Sequence, residues 1–184
     1  MKNSVTITSG IFRGRKIITP DNGLTHPMGS REKLALFNAL ISAGASFASD
    51  TAILDYCAGS GALGLEAVSR GAKQVVFVDK NSKARSIIRQ NLVLLGIEGV
   101  VLPALPPHSA SKSLQLFDLI IADPPYNALP TELSDLKELL KPNGLLALSH
   151  PASVNPTDIF SDLELITTKS HSSSRISIFR KSNY

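Results

Sequence analysis

The sequence TAILDYCAGSGALGLEA, residues 51–67, decides the fold of this chain of 184 residues. Residues 51–55 form a short apolar run that ends in an acid, which is typical of a buried strand. Gly59, Gly61 and Gly64 follow at the G-x-G-x-x-G spacing and lead into residues of helical composition. Gly59 and Gly61 let the backbone pass close to a ligand, and Gly64 lets a helix pack on a strand. The stretch therefore predicts a strand, a glycine turn and a helix beside a ligand site.

A second apolar run, residues 75–79, ends in Asp79. Asp79 lies about 20 residues after the glycines, where a ribose-binding carboxylate belongs. The glycine spacing alone is shared by proteins that bind NAD, FAD or S-adenosylmethionine. Together with Asp79 it predicts a cofactor whose ribose hydroxyls bind this carboxylate.

A second motif, Asp123-Pro124-Pro125-Tyr126, follows the apolar run of residues 117–122. The run predicts a buried strand, and open α/β sheets bind ligands at the carboxyl ends of such strands. Chemistry on the exocyclic amine of a base needs hydrogen-bond acceptors, which the Asp123 carboxylate and a backbone carbonyl would supply. The prolines fix φ and hence the direction of that carbonyl, and the Tyr126 ring can stack on a base taken out of its helix. The alternative is a strand followed by a turn with a surface tyrosine.

Strands and helices alternate through most of the chain. The pattern predicts strands at 52–55, 75–79, 99–102, 117–122 and 144–149, and helices at 62–69, 82–95 and 131–141. This order predicts an α/β fold with a doubly wound, mostly parallel sheet. Two further strands, 163–168 and 175–180, have no helix between them and predict a closing hairpin with one antiparallel strand. Residues 103–113 are too rich in proline for a helix.

The sequence predicts that residues 1–45 form a small extension and that residues 46–184 form the main domain. The extension would hold two short strands, 5–8 and 16–19, and a helix over 32–41. Leu34, Phe37, Leu40 and Ile41 would share the buried face of that helix.

Charge is concentrated in this extension. The chain has a formal net charge of +4, and six of its basic residues fall within the first 33 positions, against Asp21 and Glu32. Such a patch is typical of phosphate binding. It makes Arg13, Arg15, Lys16 and Arg31 candidate nucleic-acid contacts, with the hairpin expected beside the ligand edge of the sheet. An ordinary solvated face is the alternative.

The composition excludes several classes of protein. No stretch approaches 18 consecutive apolar residues, and the N-terminus lacks the apolar segment of a signal peptide, so no membrane partner is expected. Cys57 is the only cysteine, which excludes an intrachain disulfide and fits a reducing cytoplasm. No base neighbours Cys57 in the sequence, so a small buried residue is favoured over a nucleophile. The four histidines lack the spacing of metal ligands, and no metal is expected.

Several motifs, in order along nearly the whole chain, resemble the RsmD family of bacterial 16S ribosomal RNA guanine-N2-methyltransferases. They are Arg13-Gly14-Arg15-Lys16, Thr25-x-Pro27, Ala35-Leu36-Phe37-Asn38, the glycine loop, Ser69-Arg70-Gly71-Ala72, Asp79, Asn91-Leu92, Leu95-Gly96 and Asp123–Tyr126. The Arg-Gly-Arg-Lys and Ala-Leu-Phe-Asn motifs narrow the match to this family. The chain departs from the family at Ser149-His150, where the fifth core strand often ends in glutamate.

The resemblance implies a Rossmann-like class I methyltransferase that uses S-adenosylmethionine. Its implied cofactor-binding residues are Asp55, Ala58, Gly59, Ser60, Gly61, Asp79 and Lys80, and its implied catalytic residues are Asp123, Pro124, Pro125 and Tyr126. The implied partner is 16S ribosomal RNA within an assembled or assembling small subunit, with the protein acting as a monomer. Three alternatives stay open: an adenine-N6 DNA methyltransferase, a protein-amine methyltransferase, and a non-catalytic RNA-binding relic of the fold.

Overall fold

The structure, a computed structural model, describes residues 4–20, 28–105, 116–126, 131–171 and 174–183. The Thr25-x-Pro27 motif, Asp21 and most of the proline-rich stretch 103–113 lie outside the described residues. Nine strands occur in the described ranges: β1 (Ser4–Thr6), β2 (Lys16–Ile18), β3 (Ala52–Tyr56), β4 (Gln74–Val78), β5 (Val100–Leu102), β6 (Phe117–Ala122), β7 (Leu140–Pro151), β8 (Glu164–His171) and β9 (Ser174–Arg180).

Strands β3 to β9 form one sheet with the order β5-β4-β3-β6-β7-β9-β8. The pairs from β5 to β7 are parallel, and β9 runs antiparallel to both β7 and β8. This confirms the doubly wound, mostly parallel sheet with one antiparallel strand near its end. The chain order reverses at β3, because β4 and β5 lie on one side of it and β6 on the other. Ligand sites of open α/β sheets form at such a switch point, at the carboxyl ends of the strands.

Three α-helices accompany the strands in the described ranges: α1 (Ser30–Ser42), α2 (Ala62–Arg70) and α3 (Ser82–Leu95). The helix predicted over 131–141 is instead a 3-10 helix, Thr131–Leu139. Leu133, Leu136 and Leu139 are all buried, and this spacing of three residues matches the three residues per turn of a 3-10 helix. None of the helices in these ranges is long and apolar enough to cross a membrane.

The buried face of α1 differs from the predicted one. Leu34 is 43% exposed and Ile41 is 50% exposed, whereas Lys33 is fully buried beside Leu36 and Leu40. Lys33 is accommodated because its Nζ donates to the Thr6 carbonyl at 2.8 Å. A lysine, rather than Leu34, therefore faces the interior.

Glu66 on α2 is the centre of a buried ionic cluster. Its carboxylate accepts hydrogen bonds from the Thr8 backbone N–H at 2.8 Å and from the Thr8 hydroxyl at 2.7 Å. It also pairs with Arg70 at 3.1 Å and with Lys33 at 3.4 Å. Burial lowers the pKa of Lys33, and the Glu66 charge opposes that shift. The cluster joins α1 and the segment after β1 to the main sheet domain.

Replacing Glu66 tests how much this cluster contributes to the free energy of unfolding. Glu66→Ala would leave the buried Lys33 ammonium without its partner, which costs about 3–5 kcal/mol of the free energy of unfolding. Urea unfolding measures the change. Glu164→Ala is the matched control, because Glu164 is exposed on β8 and its loss should stay within about 0.5 kcal/mol. Similar small changes in both variants would show that the cluster contributes little.

Candidate active site

Three acids lie at the carboxyl ends of neighbouring strands. Asp55 is in β3, Asp79 follows β4 and Asp123 follows β6. The Asp123 backbone N–H donates to the Tyr56 carbonyl at 3.3 Å, which joins the ends of β6 and β3. Burial raises the pKa of Asp55 well above its usual value, and the charges of Asp123 and Asp79 add to that effect. Three acidic side chains therefore lie close together at the switch point of the sheet.

The glycine loop is held by Asp55. The Asp55 carboxylate accepts a hydrogen bond from the Gly64 N–H at 2.8 Å, and Asp55 is only 1% exposed. A Cβ on Gly64 would lie 2.3 Å from the Phe77 ring, so glycine is required for α2 to approach β4 this closely. Gly61 caps α2 with a φ of +78°. Asp55 thus positions the loop, and its implied role in binding the cofactor directly stays a prediction.

Asp79 presents an oriented carboxylate beside open space. Its two oxygens accept hydrogen bonds from the N–H groups of Gly59 and Asn81, each at 2.8 Å. Asp79 is half-buried, and each oxygen keeps a second lone pair for a ligand hydroxyl. Gly59 has a φ of +55°, and a Cβ there would meet no atom within 4 Å. This combination fits the ribose of a nucleoside cofactor lying over the glycine loop.

The other candidate cofactor residues lie around this space. Ala58, Ser60 and Gly61 are buried, so they would contribute main-chain atoms, whereas Lys80 is exposed next to Asp79. Cys57 is half-buried in the same loop. Burial and the Asp79 charge raise the pKa of the Cys57 thiol to about 12. Cys57 is therefore a neutral thiol at physiological pH and a poor nucleophile.

The Asp123–Tyr126 motif is supported by a residue that sequence reasoning did not select, Ser149 near the end of β7. The Tyr126 hydroxyl lies 2.5 Å from Ser149 Oγ, and Ser149 also forms a hydrogen bond to the Asp123 carboxylate. A serine hydroxyl has one proton, so Ser149 donates to Asp123 and accepts from Tyr126. The chain Tyr126–Ser149–Asp123 holds the carboxylate and the aromatic ring in one arrangement.

Burial is the main cause that raises the pKa of Asp123 above its usual value. The hydrogen bond from Ser149 acts in the opposite direction, and the nearby Glu32 charge raises the pKa further. Pro124 is buried, while Tyr126 is 40% exposed and can offer a ring face to a base. The signal for Ser149 was available, because the predicted strand 144–149 ends at this residue.

Asn91 on α3 also escaped selection as a site residue. Its Nδ2 donates to the Ser60 carbonyl at 3.0 Å and to the Ile18 carbonyl at 2.9 Å. Its Oδ1 accepts from the Ile18 N–H at 2.8 Å. Asn91 is fully buried and joins the glycine loop to the β1–β2 hairpin.

The sequence predicted that the basic residues of the hairpin lie beside the ligand edge of the sheet. In the structure they lie elsewhere. The Ile11 N–H donates to the Ser69 carbonyl at 2.7 Å, and Arg15 Nη2 donates to the Leu94 carbonyl at 2.8 Å. Ser69 and Leu94 are in the last turns of α2 and α3, whereas the ligand edge is at the first turns of both helices. The loop between β1 and β2, here called the hairpin tip, therefore lies at the opposite edge of the sheet, and Arg13 in it is exposed.

Of the four basic candidates, Arg31 is the one at the ligand edge. It is exposed in the first turn of α1, next to Glu32, whose charge acts on Asp123. Lys16, at the start of β2, is exposed beside the hairpin tip. The candidates therefore form two separate groups rather than one patch.

The fold and the site together define a class I methyltransferase that uses S-adenosylmethionine. Its features are the strand order, the glycine loop with Asp79, and the Asp123–Tyr126 motif at the adjacent strand end.

The family model described as "Conserved hypothetical protein 95" matches residues 5–180, and the chain belongs to this family, the RsmD family of the sequence resemblance. Ribosomal RNA small subunit methyltransferase D of Haemophilus influenzae is 32% identical over 154 residues, which cover 79% of this chain and 78% of that protein. The protein of the same name from Escherichia coli K12 is 34% identical over 145 residues, which cover 78% of this chain and 70% of that protein.

Among solved structures, the Thermus thermophilus 16S rRNA N2 methyltransferase RsmC, in complex with AdoMet and guanosine, has a TM-score of 0.74. The match covers 98% of this chain and 50% of that chain at 17% identity, and it shows the shared fold.

The role of Ser149 predicts a change in the pH dependence of methyl transfer. Ser149→Ala removes a donor that favours the charged form of Asp123, so the pKa of Asp123 should rise further. If the charged carboxylate binds the amine, the acid limb of the kcat/KM profile should move to higher pH. Ser149→Thr keeps the hydroxyl and should restore the original limb, with the charges of Glu32 and Asp55 unchanged in both variants. An unmoved limb in the alanine variant would remove Ser149 from the mechanism.

Proposed function

We propose that this protein transfers the methyl group of S-adenosylmethionine to the exocyclic N2 amine of a guanine in 16S ribosomal RNA. The observation that carries the proposal is the Tyr126–Ser149–Asp123 chain at the switch point, one strand away from the glycine loop. It combines an oriented carboxylate with an exposed aromatic ring. The names of the curated relatives, which are ribosomal RNA small subunit methyltransferases, support RNA as the substrate.

The residues of the site would act mainly by positioning. The bound cofactor supplies an electrophilic methyl group. Asp123 and the Pro124 carbonyl would accept hydrogen bonds from the amine and direct its lone pair away from the ring, while Pro125 limits backbone freedom. Such positioning can supply about 7–11 kcal/mol of the barrier. A strong base is unnecessary, because the ammonium product is acidic and releases its proton readily.

Tyr126 would hold the base. Its ring is partly exposed while its hydroxyl is bound by Ser149, so the ring keeps one orientation for stacking. Base–aromatic stacking contributes about 1–3 kcal/mol. The target guanine would therefore be taken out of its helix, as in other enzymes that modify bases.

We further infer that residues 1–45 act as an RNA-facing extension of the methyltransferase domain, residues 46–184. Contacts through Glu66 and Asn91 attach β2, α1 and the segment after β1 to the main domain, so these elements would present a rigid surface. Arg31 lies at the start of α1, whereas Arg15 contacts the last turn of α3, so the extension would offer two separate basic groups. Structured RNA of an assembled or assembling small subunit could contact both groups, with the protein acting as a cytoplasmic monomer.

A transfer assay tests the function directly. The protein is incubated with methyl-labelled S-adenosylmethionine and, in separate arms, free 16S RNA, small subunits, DNA and ribosomal proteins. We expect N2-methylguanosine in digests of the RNA arms, identified and mapped to one nucleotide by mass spectrometry. Label in DNA or protein would support the rival substrates, and calorimetry that shows no binding of S-adenosylmethionine would support the relic.

The same assay tests Asp123. Asp123→Ala should reduce methyl transfer by about 10²–10³-fold, the cost of losing one oriented group at a reacting centre. It should leave the affinity for S-adenosylmethionine nearly unchanged, because the proposed contact of Asp123 is with the base. Asp135→Ala is the control, since Asp135 is exposed on the 3-10 helix. Normal turnover of the Asp123 variant would exclude the assigned role.

The basic residues of the extension predict a salt-dependent effect. Replacing Arg13, Arg15 and Lys16 together by alanine should weaken RNA binding regardless of sequence. Each lost phosphate contact should lower the slope of log K against log salt by about 0.7–0.9. Lys169→Ala is the control, because Lys169 is exposed on β8 at the far end of the sheet order. Unchanged affinity and slope would mean that the patch is an ordinary solvated face.

A further inference from the structure

We propose that a cavity where β7 and β8 end and β9 begins binds a nucleotide that flanks the target guanine in the RNA, with Arg175 pairing with the phosphate of that nucleotide. The inference rests on the proposed function and deepens it, because it assigns an RNA-binding site outside the extension and outside both sequence motifs. None of the basic candidates selected from the sequence lies on these strands.

The cavity is large enough for a nucleotide. Its volume is about 400 Å³, within the range of about 300–1,000 Å³ that is typical of ligand pockets. Its wall combines the polar side chains of Arg175 and Thr168 with the apolar side chains of Val154, Pro156 and Leu165. Arg175, Thr168 and Leu165 are exposed, so a ligand can reach the cavity from solvent. A cation beside exposed apolar surface fits a ligand that carries both a negative charge and an apolar ring face.

Arg175 gives the cavity a positive charge. Within the described ranges no carboxylate forms an ion pair with Arg175, and none of the described residues that line the cavity is acidic. Asp158, close in sequence to the cavity wall, instead accepts a hydrogen bond from Asn155 Nδ2 at 2.9 Å. A guanidinium can bind a phosphate through two parallel hydrogen bonds, so a phosphate is the ligand group that this charge fits.

A chain of hydrogen bonds fixes the role of the Thr168 hydroxyl. The fully buried His150 has its Nδ1 2.9 Å from the Pro151 carbonyl, which can only accept, so Nδ1 carries a proton. Burial lowers the pKa of His150, so its ring is neutral at physiological pH and Nε2 accepts from the Ser177 hydroxyl at 2.9 Å. Ser177 Oγ in turn accepts from the Thr168 hydroxyl at 2.8 Å. Thr168 Oγ1 therefore keeps its lone pairs for a donor of the ligand, such as a ribose hydroxyl.

The cavity lies at the same edge of the sheet as the amine site. Because β9 is antiparallel to β7 and Arg175 is paired with His150, Arg175 lies at the carboxyl end of β7. Asp123 directly follows β6, which is two strand spacings, or about 10 Å, from β9. His150 follows Ser149 in β7, so the two side chains lie on opposite faces of this edge. An RNA strand with its target base at Asp123 can therefore pass over the edge and place a neighbouring phosphate at Arg175.

The experiment uses a short single-stranded RNA that contains the nucleotide mapped in the transfer assay. One phosphate at a time, on either side of that nucleotide, is replaced by an uncharged methylphosphonate. Dissociation constants are measured for the wild-type protein, Arg175→Ala and Lys169→Ala. Lys169→Ala is the matched control, because it removes the same charge from an exposed position on β8 and Lys169 does not line the cavity.

Arg175→Ala should weaken binding of the unmodified RNA roughly tenfold, the effect of losing a hydrogen bond to a charged group. The slope of log K against log salt should fall by about 0.7. For the wild type, one methylphosphonate position should cause a similar loss of affinity. At that position Arg175→Ala should cause no further loss, because both changes remove the same contact. The melting temperature and the affinity for S-adenosylmethionine should stay unchanged, since Arg175 is exposed and far from the glycine loop in the strand order.

A second variant blocks the cavity without changing its charge. Ala152 is an exposed residue of the cavity wall, so Ala152→Trp would fill part of the space without disturbing the core. We expect it to weaken RNA binding about as much as Arg175→Ala does. Ser161→Trp is the control, because Ser161 is exposed and does not line the cavity.

The outcomes separate the inference from the proposed function. If the wild type methylates guanine in the RNA while Arg175→Ala binds every RNA as the wild type does, the inference alone is overturned. Equal losses of affinity in Arg175→Ala and Lys169→Ala also overturn it, because they would show a general effect of charge. So does a methylphosphonate effect that is the same with and without Arg175. A wild-type protein that methylates no guanine in the RNA overturns the proposed function, and the inference with it.

Discussion

The buried carboxylate of Glu66 is the constraint on which the arrangement of the site depends. A carboxylate removed from water costs several kcal/mol unless its partners are in place, so Thr8, Lys33 and Arg70 must all meet it. Glu66 lies on α2 directly after the glycine loop, so its partners bring the extension next to the cofactor site. The extension is consequently packed against the main sheet domain and is not a separate appendage.

The chemistry follows from a reversal of strand order. Because β3 and β6 are adjacent and parallel, the glycine loop and the Asp123–Tyr126 motif meet at one edge although about 60 residues separate them. Burial is the largest cause that raises the pKa of Asp55 and of Asp123, and neighbouring carboxylates add to the shift. Such a site favours ligands that bring hydrogen-bond donors or positive charge, and the amine and the sulfonium of the proposed reaction supply both.

Local sequence patterns predicted most elements well, because a strand or an amphipathic helix depends on neighbouring residues. The errors have identifiable causes. Lys33 is buried in place of Leu34 because Glu66, more than 30 residues away, neutralises it. The segment 131–139 is a 3-10 helix, which helical periodicity alone does not distinguish from an α-helix. The position of the hairpin tip could not be predicted, since no local pattern records which end of α2 and α3 it contacts.

The sequence by itself determined the parts of this protein that are contiguous in the chain: the strand–glycine–helix unit, the Asp123–Tyr126 motif, and the family to which they belong. Each of these depends on residues a few positions apart. Only the tertiary structure decided that Ser149 holds Asp123 and Tyr126, and that Asn91 joins the glycine loop to the hairpin. Those contacts join residues 23 to 73 positions apart, and their geometry exists only once the sheet order and the buried Glu66 cluster have brought separate elements together.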